Sequence, residues 1–180
     1  MTRILPIILG ALAVSAGAFA QSTEIDRALA AAPPQAREAT TVIKWKADGT
    51  YDTLKKGTNR LVCHDRSGEP GRAAFAVQCT SIGNLERIAQ NRKFEAELDA
   101  AKRKAMIDAA EANGTRVKPE YGSVWYDMNG PDQASARIHS TVAVPGATSQ
   151  STGLPDNGTK GGAWVMNAGT TSAHIMLPGR

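Results

Sequence analysis

The sequence predicts an α+β domain in which an antiparallel β-sheet packs against one long helix and carries one structural disulfide. Several short segments alternate apolar and polar side chains with a period of two, which is typical of strands with one buried face. Residues 85–112 lack proline and are rich in Ala, Glu, Lys and Arg, a composition that favours a helix. The two cysteines, Cys63 and Cys79, lie in two of the alternating segments.

The first twenty residues have the three parts of a cleavable secretory signal. Arg3 supplies the positive charge, residues 4–14 are apolar, and an A-F-A cleavage site follows at residues 18–20. The apolar run is too short to span a bilayer, which argues against an uncleaved anchor. We therefore predict a signal peptide at residues 1–20, export to the periplasm or the medium, and one domain at residues 21–180 without a transmembrane segment.

The first part of the exported chain predicts a short helix followed by four strands. Ser22 is suited to cap the helix, and Pro33-Pro34 ends it. Asp48-Gly49 is a hairpin signal between the first two strands. The alternating pattern places these four strands at residues 40–46, 51–55, 61–64 and 75–79.

The predicted long helix over residues 85–112 ends at an Asn-Gly pair, which suits a left-handed cap. Its apolar residues form two stripes, one starting at Leu85 and one at Phe94, about half a turn apart. The helix therefore either breaks near Asn91 or packs against different partners at its two ends.

The last third of the chain returns to the two-residue period of strands. Residues 145–162 hold two prolines and five glycines, so this stretch is predicted to be a loop. The final two strands flank an Ala-Gly-Thr turn and form a hairpin. The predicted strands of this part are residues 124–128, 136–144, 163–167 and 172–177.

The charge balance is only mildly basic. The chain has 21 basic and 17 acidic residues, and removal of Arg3 with the signal leaves 20 against 17, a net charge of +3. The basic residues are spread along the chain, with short clusters at residues 55–56 and 102–104. Because nucleic-acid binding requires a concentrated basic face, the composition predicts no nucleic-acid partner.

The two cysteines are predicted to form a disulfide. An exported protein meets an oxidising compartment, where a single pair of cysteines usually bonds. Cys63 and Cys79 both belong to the apolar faces of their predicted strands, as a cross-strand bridge requires. The alternatives are a redox-active pair, which usually has a two-residue spacing at a helix start, or a metal site. The observed spacing favours a structural bridge.

Three short motifs carry a resemblance to known proteins. They are the G-T-N-R-L-V-C run at residues 57–63, the second cysteine at Cys79, and the A-H-I-M-L-P run at residues 173–178. With these motifs the chain resembles a group of exported, uncharacterised bacterial proteins, some of which end in a similar His-containing strand. The resemblance implies a bacterial and periplasmic origin, and it implies no activity.

A candidate metal site involves His174, Met176 and His139. Residues two apart on a strand project to the same side, so His174 and Met176 share one face. His139 lies on the polar face of another predicted strand, which sheet pairing can bring alongside. Copper suits imidazole and thioether ligands better than zinc does, so copper is the cofactor considered. The alternative is that Met176 fills the core and His174 is hydrogen-bonded.

Aromatic residues and histidines are concentrated in the last strands. Trp125, Tyr126 and Trp164 join His139 and His174 in strands predicted to be neighbours. Such a set either lines a small-ligand pocket or forms the core of a protein with few other large side chains.

No motif selects a catalytic site. The chain lacks G-x-S-x-G, and its many serines permit a Ser/His/Asp group without singling one out. Glu120 and Asp127 are candidates for paired carboxylates, which spacing alone cannot test. We therefore predict a non-enzymatic exported domain that binds a small ligand or an envelope component. The alternatives are an exported hydrolase with an unrecognised Ser/His/Asp site and a low-affinity copper-binding protein.

Overall fold

The computed structural model describes Gln21 and residues 23–177, so the predicted signal peptide lies outside the described residues. Each of the eight predicted strands has a counterpart in one sheet. The strands are β1 (Thr41–Trp45), β2 (Tyr51–Lys55), β3 (Leu61–Asp65), β4 (Phe75–Ser81), β5 (Val124–Gly130), β6 (Arg137–Ala143), β7 (Trp164–Met166) and β8 (His174–Met176). Across the sheet their order is β2-β1-β3-β4-β5-β6-β8-β7.

Several short helices replace the predicted long helix. The prediction of one helix over residues 85–112 is wrong, because the chain leaves the helix at Ala96 and a second helix begins after Asp99. The Asp99 carboxylate accepts hydrogen bonds from the backbone N–H groups of Ala101 and Lys102 and so caps that second helix. The described helices are α1 (residues 23–28), α2 (Leu85–Glu95), α3 (Ala100–Ala112) and α4 (Ser149–Thr152).

The sheet is mixed, which corrects the expectation of a purely antiparallel one. β1 and β3 pair in parallel, whereas the other six pairings are antiparallel. After β2 the chain crosses the start of β1 before it enters β3. Gly57 makes this crossing possible, because a Cβ on it would lie 2.2 Å from the carbonyl oxygen of Ala39. The backbone N–H groups of Thr58 and Asn59 both donate to that same oxygen.

The predicted disulfide lies on one face of the sheet, which we call the apolar face. Cys63 and Cys79 are directly opposite each other in β3 and β4, are bonded, and are fully buried. α1 and the turn that follows it cover this face, where residues 28–32 are buried. The buried apolar cluster here comprises residues 28–32, Val42, Cys63, Phe75, Val77 and Cys79.

The opposite face, which we call the polar face, carries α2. Ile88 of α2 is buried, and the Arg92 guanidinium lies 5.5 Å from the centre of the Trp45 ring. At the start of α2 the buried Asn84 amide donates to the hydroxyls of Thr80 and Ser123, at 2.8 and 2.9 Å. These hydrogen bonds fix one end of the helix over the central strands and leave part of the face beside it open.

Among the described residues, no helix is both long enough and apolar enough to cross a membrane.

Candidate functional site

An open cleft of about 360 Å³ lies on the polar face between α2 and strands β4, β5, β6 and β8. We call it the polar-face cleft. Most of the residues in its walls are polar. The walls consist of Arg87, Asn91 and Glu95 from α2, Gln78 from β4, Trp125, Asp127 and Asn129 from β5, His139, Thr141 and Ala143 from β6, His174 from β8, and Arg66, Arg72, Pro119, Asn167, Ser172 and Ala173 from connecting segments.

A row of polar side chains, one from each of four adjacent strands, leads from the buried His64 into the cleft, whose wall contains Gln78, Asp127 and His139. The sheet register aligns His64, Gln78, Asp127 and His139 in β3, β4, β5 and β6. Gln78 Nε2 donates to Asp127 Oδ1 at 2.6 Å, and Gln78 Oε1 lies 3.3 Å from His64 Nε2. Because the amide oxygen is only an acceptor, His64 must carry its proton on Nε2.

The members of this row differ in their electrostatic environment. Complete burial, together with the nearby charge of Arg66, lowers the pKa of His64 to about 3, so the ring is neutral. Burial raises the pKa of Asp127, although the hydrogen bond from Gln78 opposes that shift. His139 is exposed at the outer end of the row.

One wall of the cleft is a network of arginines and glutamates. Glu95 on α2 pairs with both Arg66 and Arg72, and Glu69 pairs with Arg66 and Arg92. These ion pairs satisfy the charges of this wall internally, so its arginines are already occupied.

Arg87 of α2 differs from the arginines of that network. Its side chain is buried, yet it forms no ion pair with any described carboxylate and instead meets neutral oxygens. Nη1 donates to the Val117 carbonyl and, at 3.1 Å, to the Thr171 hydroxyl, while Nη2 donates to the Ser172 hydroxyl at 2.7 Å. Burial, with the neighbouring Arg116, lowers the pKa of Arg87 to about 10, so it stays charged at neutral pH.

The three predicted metal ligands lie on one face of the sheet, but at different positions along the strands. His174 pairs with Ala143, and His139 lies four residues earlier in β6, about 13 Å away along the strand. His174 Nδ1 contacts the Ser172 carbonyl at 2.8 Å, and Met176 is not part of the cleft wall. Across the described residues, no three His, Cys, Asp or Glu side chains are grouped to hold a metal. The copper site stays a prediction.

The aromatic set is divided between the two faces. Trp125 lines the polar-face cleft together with His139 and His174. Tyr126 lies on the apolar face against the disulfide cluster, and Trp164 does not line the cleft. The aromatic and histidine pattern thus predicted three residues of the cleft, Trp125, His139 and His174. No sequence pattern predicted Arg87, Gln78 or the Asn side chains of the cleft.

The predicted catalytic groups are not assembled in the described part of the chain. No serine hydroxyl there is hydrogen-bonded to a histidine; the contact of His174 with Ser172 is to the backbone. Glu120 is bound to Ser81 and Arg60 and does not line the cleft that contains Asp127. The two carboxylates therefore do not face each other across it.

Two other concavities of similar size, about 370 and 340 Å³, lie near the β1–β2 hairpin. Most of the charged side chains in their walls belong to ion pairs such as Lys44–Glu24 and Arg92–Glu69. The polar-face cleft is the one that contains a buried arginine with only neutral partners.

The fold and cleft together define a disulfide-linked, mixed-sheet α/β domain with one open polar face. No family model, no curated protein and no solved structure matches the chain.

Proposed function

We propose that this chain is an exported, non-enzymatic domain that binds a small polar ligand in the polar-face cleft. The observation that carries the proposal is Arg87, a buried cation whose described partners are all neutral, in the wall of an open cleft. Buried charges are normally paired, because desolvating an ion without a counter-charge costs free energy. A ligand with complementary charge or hydrogen-bonding groups would offset that cost.

The composition of the cleft supports a binding role. A sheet face that only had to pack beneath a helix would carry apolar side chains, as the apolar face does. Here Trp125, Asp127, Thr141 and His174 line an open cleft instead. One aromatic ring among a few convergent polar groups is typical of small-ligand sites, and the volume lies in their usual range.

Export is supported by separate observations. The N-terminal signal pattern and the buried bond between Cys63 and Cys79 both agree with an oxidising compartment. We propose the periplasm or the medium as the location, with a small ligand or an envelope component as the partner.

The test is a binding screen with sugars, amino acids and small organic acids on the purified exported protein. A ligand of the cleft should raise the midpoint of thermal unfolding, because it binds the folded state alone. His174→Ala should abolish most of that rise, while Ile138→Ala, on the exposed opposite face of β6, should preserve it. Turnover of an ester, peptide or glycan that is lost in His139→Ala or His174→Ala would overturn the non-enzymatic proposal.

A further inference from the structure

We infer that the ligand of the polar-face cleft is a small monocarboxylate with several hydroxyl groups, and that Arg87 binds its carboxylate. The inference rests on the proposed binding function and adds the chemical class of the ligand.

The donor pattern of Arg87 points to a carboxylate. A guanidinium has five N–H donors, and three of those on Arg87 serve Val117, Thr171 and Ser172. The Nε hydrogen and the second Nη2 hydrogen donate to no described residue. The Nε and Nη2 nitrogens themselves lie on the same edge of the guanidinium plane. Two parallel N–H groups match the two oxygens of a carboxylate, which makes a bidentate, charge-assisted pair.

Among the described residues, no carboxylate forms an ion pair with Arg87. Glu95 is held by Arg66 and Arg72, and Glu111 reaches Arg87 only through the Thr171 hydroxyl, which donates to Glu111 and accepts from Arg87. The Arg87 side chain is thereby fixed in direction by hydroxyls and a carbonyl, and with Glu111 acting only through Thr171, a direct ion-pair partner is left to the ligand.

The charge of the cleft favours a single negative charge. Its walls hold three arginines, at positions 66, 72 and 87, against the carboxylates of Glu95 and Asp127, a formal excess of one positive charge. A monocarboxylate balances this excess. A phosphate dianion would exceed it and would meet the Asp127 carboxylate without the additional donors that three phosphate oxygens require.

The rest of the cleft suits hydroxyl groups. Asn91, Asn129 and Asn167 bring amides that both donate and accept, and Asp127 and Thr141 add acceptors. The Trp125 ring offers an apolar surface of the kind that covers the C–H groups of a sugar. A molecule of monosaccharide size can therefore reach Arg87 at one end and the Asp127–His139 pair at the other.

The experiment is an NMR titration of the ¹⁵N-labelled, oxidised protein with glucuronate, glucose and inorganic phosphate as probes. Glucuronate should shift the Nε–H signal of Arg87 together with the backbone signals of Trp125 and Thr141. It should bind at least about tenfold more tightly than glucose, because only glucuronate carries the carboxylate. Phosphate should bind more weakly than glucuronate.

Variants provide a second arm. Arg87→Lys keeps the charge but lacks the paired donors, so the affinity for glucuronate should fall about tenfold or more. Arg103→Lys on α3, outside the cleft, should bind like the parent protein. Should Arg87→Lys fail to fold, the comparison of the three probes on the parent protein decides the question.

The contrary outcomes are distinct. Equal binding of glucose and glucuronate in the cleft, or tighter binding of phosphate, overturns the carboxylate inference and leaves the binding function standing. The absence of any shift with glucuronate at about 10 mM also overturns the inference. The binding function itself fails only if the broader screen finds no ligand that depends on His174.

Discussion

The side-chain amide of Gln78 connects the fully buried His64 to Asp127 in the wall of the polar-face cleft. The amide nitrogen donates to Asp127 Oδ1 at 2.6 Å, and the amide oxygen lies 3.3 Å from His64 Nε2. One amide thus satisfies a buried imidazole on β3 and a carboxylate on β5, and it fixes the orientation of both. The stability of this face should depend on that amide and on the ionisation of its two partners.

Gln78→Leu should lower the free energy of unfolding by about 1–3 kcal/mol, because it leaves the His64 N–H and an oxygen of Asp127 without their hydrogen-bond partner. Urea denaturation at neutral pH measures the change. Gln150→Leu, at an exposed position of α4, is the matched control and should change stability by less than about 0.5 kcal/mol. Equal effects of the two substitutions would show that the amide link contributes nothing.

Acid should destabilise the protein through His64. Its pKa is about 3 when folded and about 6.5 when unfolded, so the unfolded state binds more protons between these values. The contribution of His64 is complete above about pH 6.5 and is lost as the pH falls toward 3. By about pH 4.5 the loss reaches roughly 2–3 kcal/mol.

The measurement for His64 is the difference in unfolding free energy between neutral pH and about pH 4.5. His64→Leu should reduce this difference, whatever its effect at neutral pH. His139→Leu removes an exposed histidine from the same face and should leave the difference close to that of the parent protein. A parent-like pH dependence in His64→Leu would contradict the assignment of a neutral, buried ring.

The ionisation of Asp127 should change stability with pH in the direction opposite to that of His64. Because burial raises its pKa in the folded state, the folded state holds the proton more tightly than the unfolded chain does. Its stability contribution is therefore complete below the unfolded pKa of about 3.9 and is lost as the pH rises through the higher folded pKa. Asp127→Asn, which never ionises, should be more stable relative to the parent at neutral pH than at low pH.

Chemical denaturation at several pH values tests this prediction for Asp127→Asn. Asp156→Asn removes one charge at an exposed loop position and serves as the control for net charge. A stability difference between Asp127→Asn and the parent that falls as the pH rises would contradict a raised pKa for Asp127.

Much of the fold is predictable from local pattern. The alternation of side chains located all eight strands, and the apolar positions of Cys63 and Cys79 placed both sulfurs on one face. The pairing direction of β1 and β3 is not encoded in that alternation, since a strand has the same period in either direction. It depends on the crossing of the chain at Gly57, which is a tertiary contact.

The helical region and the site show the limits of such patterns. Helix-favouring residues continue on both sides of residues 96–99, so composition alone joins α2 and α3. The two apolar stripes allow a break near Asn91, but only the capping contacts of Asp99 place the interruption at residues 96–99. Likewise, an arginine on a helix is usually solvent-exposed, and nothing local marks Arg87 as buried. Its burial follows from partners thirty or more residues away, Thr171 and Ser172 among them.

The disulfide should contribute substantially to stability. Cys63 and Cys79 are sixteen residues apart, and opening a loop of this length typically costs about 3 kcal/mol through the entropy of the unfolded chain. The double variant Cys63→Ala/Cys79→Ala should unfold at correspondingly lower urea concentration. Mass spectrometry after alkylation without reductant should find no labelled thiol in the parent, and two labelled thiols would contradict the bridge.

The most direct test of the binding function is a chemical-shift map of the whole chain against the ligand that the screen selects. If the ligand binds in the polar-face cleft, the largest chemical-shift changes should cluster at four residues on adjacent strands of one face, namely Gln78, Trp125, Thr141 and His174. Changes centred on Lys46 and Pro70 beside the hairpin, or scattered over both faces of the sheet, would contradict the assignment of this cleft as the ligand site.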